Sequence, residues 1–330
     1  MVDGLAQRPL EVEPPVRRTR RRWRVLGAVA GWPLLLAGVL GVGLHYNTTV
    51  WEPATLATSF ATYLMVGAVV SLLVLGLARQ RVGALIAVAV SGAALWSQLP
   101  MLWPDGSPAA GTDLVVMQSN QYLGRGDAKA VVQQVRDNGV EVLTLEELTP
   151  ELLDRLDAAG LADALPYRFT APSGGGQGTG IFSRYPLQDG MKFDGFWLNN
   201  LRATMTHPSL GPITIFGLHP IPPLSNAGQW SHELGQIRDL LQAEPGRVAV
   251  GGDFNSTYDH AQFRALTIGR YADSAELLGV GALPSWPTDR SFGPVIGIDR
   301  VLVANGTATA IHSVTMPDTD HRAVIARLRF

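Results

Sequence analysis

After residue 112, acidic, amide and imidazole side chains are grouped in a way that suits phosphate-ester chemistry. Asp253 and Asn255 lie in Gly251-Gly252-Asp253-Phe254-Asn255-Ser256, and Asp320 stands beside His321. Asn120, the pair Glu146-Glu147, His219 and Asp299 complete the set. Hard divalent cations prefer carboxylate and amide oxygens, so these residues suit Mg²⁺ or Mn²⁺. Cysteine is absent, which excludes disulfides, thiol nucleophiles and thiolate metal sites. Of the seven histidines only His219 and His321 stand in the set. A phosphate ester resists attack because its oxygens repel a nucleophile. A cation neutralises that charge, a carboxylate or imidazole aligns or deprotonates water, and donors such as Asn255 and a protonated His321 stabilise charge developing on the phosphoryl oxygens. No covalent intermediate is required. Each residue also has a purely structural use. Asn120 can close a turn, Glu146 or Glu147 can open a helix ahead of Thr149-Pro150, Asp253-Phe254-Asn255 can form an Asx-turn, His219 can pack before Pro220, and Asp320-His321 can fill a loop.

The elements that must position these residues are legible as apolar runs. Strands are predicted at Asp113–Met117, Val140–Leu145, Thr179–Ser183, Arg202–His207, Ile213–Leu218, Arg247–Val250, Arg300–Val303 and Ala323–Arg329. Helices fit Asp127–Asn138, stopped by Gly139, and Trp230–Ala243, with Leu234, Ile237 and Leu241 on one face. Strands outnumber helices, which favours a two-sheet core flanked by helices. The chemical residues fall at strand ends, so they are expected to converge on one sheet edge. Ser173-Gly174-Gly175-Gly176-Gln177-Gly178 is a flexible loop and not a phosphate-binding P-loop, since no Gly-Lys-Ser/Thr follows.

The order of seven segments resembles the endonuclease/exonuclease/phosphatase, or deoxyribonuclease I-like, superfamily. They are Gln118–Tyr122, Leu145–Leu148, Gly178–Leu187, Gly217–Pro223, Gly251–Ser256, Ile298–Val303 and Thr319–Leu328. The resemblance covers 112–330 and implies an α/β (α+β) four-layer sandwich, two mixed β-sheets between helices. It also implies roles: Glu147 as metal ligand, with Glu146 where the family has Gln; Asn120 helping to hold metal and phosphate; Asp253 and Asn255 orienting water and phosphate oxygens. His321 is steadied by Asp299, Asp320 is a further metal-proximal carboxylate, and His219 protonates the leaving group. Thr319 stands where the family often has Ser, and no carboxylate partner for His219 is evident.

The residues before this domain differ in kind. Val25–Trp51, Pro53–Ala78 and Val82–Pro104 carry no Asp, Glu, Lys or Arg. Each contains an apolar run near the ~20 residues a transmembrane helix needs. Three transmembrane helices are therefore expected within residues 25–99, after a basic leader (1–24) and before a linker (100–111). All nine arginines of this region lie in the leader or in Arg79-Gln80-Arg81. The positive-inside rule then places the leader in the cytoplasm and the catalytic domain outside it, in the cell membrane of a multi-pass protein.

The domain from Thr112 onward has 23 acidic and 17 basic residues, a formal charge of −6. That argues against broad electrostatic capture of nucleic acid. Arg184 and Arg202, with Arg290 and Arg322, are candidates for gripping a phosphate or diphosphate. Membrane anchoring beside such a domain resembles membrane-bound bacterial members of the superfamily, including teicoplanin-resistance proteins of the VanJ type. It implies a lipid-linked phosphate or diphosphate such as an undecaprenyl carrier. The alternatives are an extracytoplasmic nuclease acting on DNA and a non-catalytic membrane receptor that keeps the fold.

Overall fold

The computed structural model describes residues 15–105 and 110–330, and for 15–20 the backbone alone. Arg8 and residues 106–109 of the predicted linker lie outside the described residues. Two compact units form: the chain up to Val42 with Tyr63–Trp96, and Gly43–Thr62 with Ser97–Phe330.

Four helices span the first part of the chain: α1 (Pro15–His45), α2 (Glu52–Thr58), α3 (Ala61–Leu77) and α4 (Arg81–Leu102). Arg21–His45 and Arg81–Leu102 are long and apolar enough to cross a membrane; α3 qualifies only together with α2, from which it bends by 65°. Of the three expected spans, two are single helices of this kind, and the third is present only if the bent pair counts as one span. Within the first unit α1 and α3 meet through small residues. A Cβ on Gly38 would lie 2.5 Å from that of Ala68, and one on Gly67 would lie 2.8 Å from the Leu34 carbonyl oxygen. Such close approach lets apolar helices gain dispersion contact without a hydrophobic driving force between them.

The second unit carries two six-stranded sheets. One has the order β11-β12-β1-β2-β4-β3, from β1 (Asp113–Asn120), β2 (Val142–Glu146), β3 (Tyr167–Ala171), β4 (Thr179–Ser183), β11 (Thr307–Thr315) and β12 (Arg322–Arg329). The other has the order β5-β6-β7-β8-β10-β9, from β5 (Leu187–Lys192), β6 (Leu201–His207), β7 (Gly211–Leu218), β8 (Arg247–Asp253), β9 (Tyr271–Asp273) and β10 (Asp299–Ala304). Both sheets are mixed: β1–β2 and β7–β8 are parallel, the other pairs antiparallel.

Side-chain alternation along the strands builds the layers. On β1, Val115 and Met117 face α5 (Ala128–Asp137) and α6 (Pro150–Ala158) through Val131, Val132, Val135, Leu152 and Leu156. Leu114 and Val116 turn the other way, into the seam between sheets with Ala203, Met205, Ile213, Ile215, Val301 and Val303. On the far side Phe216, Leu218, Val248 and Val250 pack under Trp230, Leu234, Ile237 and Leu241 of α8 (Ala227–Ala243); the short α7 (Leu161–Ala164) follows α6. The expected α/β sandwich of two mixed sheets between helices is what forms. The predicted linker is shorter than expected, because α4 runs to Leu102 and buried Met101 packs against Tyr258 and Ala275. Asp105 N–H also donates to the Leu277 carbonyl.

Candidate active site

Parallel pairing of β1 with β2 puts Asn120 opposite Glu146, and antiparallel pairing of β10 with β8 puts Asp299 opposite Asp253. The four strands therefore end their polar residues at one edge. His219 follows β7 and His321 precedes β12 at that same edge.

Asn120 lies at the centre. Its amide nitrogen donates to Glu147 Oε1 at 3.2 Å and to Asp253 Oδ2 at 3.1 Å, while its oxygen accepts from Tyr122 N–H at 2.9 Å. Asn120 thus anchors the two carboxylates, and its oxygen, which accepts one hydrogen bond, keeps a second lone pair. Glu147 has a left-handed backbone, φ 57°, that turns it out of the strand, and it accepts from Leu123 N–H. Asn255, φ 49°, donates its N–H to Asp253 Oδ1 at 2.9 Å and its side-chain amide to the Pro220 carbonyl at 3.0 Å. Both residues adopt a conformation that side chains seldom take, the kind of local strain found where structure over-determines a site.

His321 Nδ1 lies 2.9 Å from Asp299 Oδ2, and its Nε2 lies 3.8 Å from Asp253 and 3.7 Å from Asp320. Burial alone would lower the His321 pKa. The charge and hydrogen bond of Asp299, with Asp253 and Asp320, override this and raise it to about 10. Burial and then the Asp299 carboxylate push Asp253 up to about 7. Asp299 is itself buried, yet the His321 charge and hydrogen bond hold it below its ordinary value. His219 Nε2 lies 3.8 Å from Asp253 and its Nδ1 has no partner; burial lowers its pKa to about 4. Burial thus favours its neutral form, which suits a hydrogen-bonding role.

Glu146 points inward. Gln118 donates to it at 2.7 Å and to Asp299 at 2.9 Å, and burial raises its pKa well above the carboxylate range. A protonated Glu146 is isosteric with glutamine, which leaves Glu147 as the open carboxylate. Asp253, Asp299 and His321 offer atoms within 4.8 Å of one another. Because Asp299 and His321 already bond each other, they form a hydrogen-bonded chain more than a ligand set. Of the expected carboxylate ligands, Glu147 shares the Asn120 amide with Asp253, and the buried Oδ1 of Asp320 accepts no hydrogen bond, which leaves oxygens of the kind a hard cation takes.

The two predicted substrate arginines are not brought to the site. Arg184 follows the opposite end of β4 and bonds the Val140 carbonyl at 2.9 Å, and Arg202 is paired with Glu244 at 2.7 Å. Arg322 bonds Ser313, and Arg290 pairs with Asp289 at 3.3 Å. Arg125, which sequence reasoning missed, instead lies over the Tyr122 ring, 4.8 Å from its centroid. It lines a cavity of about 570 Å³ with Asp318, Thr319 and Asp320. Its place five residues after Asn120 was the available signal. Gln118 was also missed, although it stands two residues before Asn120 on the same strand.

A family model described as Endonuclease/Exonuclease/phosphatase family matches residues 117–321. No curated protein matches the chain by sequence. Among solved structures, D. rerio TDP2 complexed with single strand DNA product superposes with a TM-score of 0.55 at 16% identity, covering 66% of this chain and 100% of that one. The Neisseria 3′ phosphatase NExo bound to product DNA hairpin gives 0.53 at 17%, covering 66% and 100%. An endonuclease/exonuclease/phosphatase from Beutenbergia cavernae gives 0.50 at 18%, covering 66% and 72%. At these identities the likeness establishes the fold.

Proposed function

Since this chain belongs to the endonuclease/exonuclease/phosphatase family, whose members are hydrolases, we propose that it is a membrane-anchored, divalent-metal-dependent phosphoesterase. The carrying observation is the convergence at one end of the two sheets of two hydrogen-bonded groups, Glu147–Asn120–Asp253 and Asp299–His321, with His321 Nε2 3.8 Å from Asp253. Glu147, Asp253 and Asp320 would hold Mg²⁺ or Mn²⁺, which when bound supplies charge neutralisation and orients the phosphate. Asp253, positioned by Asn120 and by Asn255 N–H, orients the attacking water. Charged His321, steadied by Asp299, donates to a phosphoryl oxygen as negative charge builds there. Neutral His219 lies where it can hydrogen-bond substrate or water.

For substrate, the reading is an amphiphilic phosphate: a lipid-linked phosphate or diphosphate, handled on the outer side of the cell membrane. Leu123, Trp197, Leu224 and Phe292 are exposed on loops that leave the same edge as the polar site. An apolar rim round a phosphate-hydrolysing centre suits an ester carried on hydrocarbon. The likeness to VanJ-type proteins extends this to an undecaprenyl carrier and a role in the cell envelope or glycopeptide resistance. The second reading is an extracytoplasmic nuclease, supported by the DNA products held by TDP2 and NExo; exposed aromatic rings also stack on bases. The test is turnover of lipid diphosphate, phospholipid and DNA by the full-length protein in detergent, with added Mg²⁺ or Mn²⁺ and with chelator. Metal-dependent hydrolysis of any member supports the phosphoesterase, and the preferred member names the substrate. No turnover with any of them would leave the receptor reading in its place.

A further inference from the structure

The sequence Tyr258-Asp259-His260 follows the Asp253–Asn255 segment and has no part in the chemistry above. All three residues are buried, and Asp259 collects polar partners from distant parts of the chain. His45 Nδ1 lies 2.8 Å from its Oδ1, and Gln98 donates to the same oxygen at 2.7 Å. Thr62, in the first turn of α3, donates to Oδ2 from its N–H at 3.1 Å and its hydroxyl at 2.6 Å. Arg264 closes the other side, donating to the His45 carbonyl at 2.6 Å and the Tyr258 carbonyl at 2.7 Å. His260 adds another tie: its Nδ1 accepts from Thr257 N–H at 3.0 Å and its Nε2 donates to the Thr55 carbonyl at 3.0 Å. Burial pushes the Asp259 carboxyl up, but the hydrogen bonds from His45 and Thr62 and the charge on His45 outweigh it and hold it below the ordinary value.

A buried carboxylate with this many donors is fixed in place, because each lost donor would leave charge uncompensated in a dry site. Only three residues separate it from Asn255, whose left-handed backbone and bond to Pro220 set the end of β8. We infer that Asp259 is a positioning residue for the hydrolytic centre, and that Gly43–Thr62, which runs from the last turn of α1 to the first turn of α3, is a built-in part of the catalytic unit. Asp259 acts by holding the Asn255–His260 loop against that segment, so that Asn255 and Asp253 keep the geometry in which they orient water. The functional catalytic unit then includes Gly43–Thr62 and the end of α4 as well as the domain from Thr112 onward.

This rests on the phosphoesterase reading, and the test separates the two. Full-length protein in detergent is assayed with bis(p-nitrophenyl) phosphate and Mg²⁺, and hydrogen exchange is followed at the amides of Asn255–His260. Asp259→Ala should lower kcat about tenfold or more, as loss of support behind a metal site does, with KM within about twofold. Thr62→Ala should give a smaller loss. The double variant should be no worse than Asp259→Ala alone, since both remove one interaction. Asp259→Asn, which keeps an acceptor for Thr62, should recover part of the loss, and exchange should quicken at Asn255–His260 in each impaired variant. Wild-type kcat with only a lowered Tm, or losses that add in the double variant, would overturn the inference. If Asp259→Ala does not fold, Thr62→Ala and Asp259→Asn carry the same test. If the wild type turns nothing over, the phosphoesterase reading fails; unchanged exchange at Asn255–His260 in Thr62→Ala and Asp259→Asn would then overturn the positioning role by itself.

Discussion

In the proposed mechanism His321 links catalysis to stability. Its folded pKa of about 10 lies above the ordinary value of 6.5, so the charged form is favoured by folding. That contribution is fully present below about 6.5 and is lost as pH rises through about 10. In chelator, the Tm of the wild type should therefore fall more steeply than that of His321→Gln between about pH 7 and about pH 10. Parallel curves would contradict the Asp299–His321 pairing. Glu147→Ala, Asp253→Ala and His321→Ala should each lower kcat/KM about a hundredfold or more in folded protein. By contrast Arg184→Ala should stay within about twofold, because its guanidinium serves the Val140 carbonyl. The contrast shows what was readable in advance. Asn120, Asp253 and His321 announce themselves because each polar residue abuts an apolar strand. Arg184 does the same, but a one-dimensional pattern does not tell which end of an antiparallel strand meets the site. Gln118 was hidden among the buried residues of β1, where only tertiary packing reveals the Glu146–Asp299 bridge.

Element by element, the interior strands were legible and the edges were not. β4 has the predicted bounds, and β8 extends to Asp253, so the carboxylate proposed to orient water completes the strand. The strands β3, β5, β9 and β11 went unread. β3 and β11 are the edges of one sheet and β5 and β9 of the other. Most residues of β3, β5 and β11 stay partly or fully exposed, which removes the apolar run. The helices α2 and α3 were read as one because composition carries no record of a bend. Where the sheets meet, Gly251 is a requirement of packing. A Cβ there would lie 2.2 Å from Thr144 Oγ1 on β2 and 3.2 Å from Gln118 Cβ on β1. Gly251→Ala should cost about 1–3 kcal/mol by overpacking and be read as a lowered Tm. Unchanged stability would mean the seam is looser than described.

For the molecule as a whole, the proposed function joins a membrane anchor to a hydrolytic centre. The arginine distribution predicts the domain outside the cytoplasm. An alkaline phosphatase reporter fused after Gly111 should be active in a bacterial host, and a green-fluorescent reporter there should be dark; the reverse pattern would overturn the topology. With the same preparation and metal, kcat/KM for lipid diphosphate should exceed that for duplex DNA. A preference for DNA of about tenfold or more would install the nuclease reading, since an exposed polymer gains nothing from surface confinement. The pairing of β1 with β12 bears on how the protein comes to be active at all. Asp113 pairs with Arg329 and Gln118 with Val324, so β1 is seated between β2 and a strand made at the other end of the domain. During synthesis β1 emerges early and must wait, with one edge unpaired, until Arg322–Arg329 has followed. Such non-local closure slows folding and leaves a sticky intermediate. Because His321 enters immediately ahead of that strand, the proposed phosphoesterase would stay silent in the nascent chain until the same final step that closes its sheet.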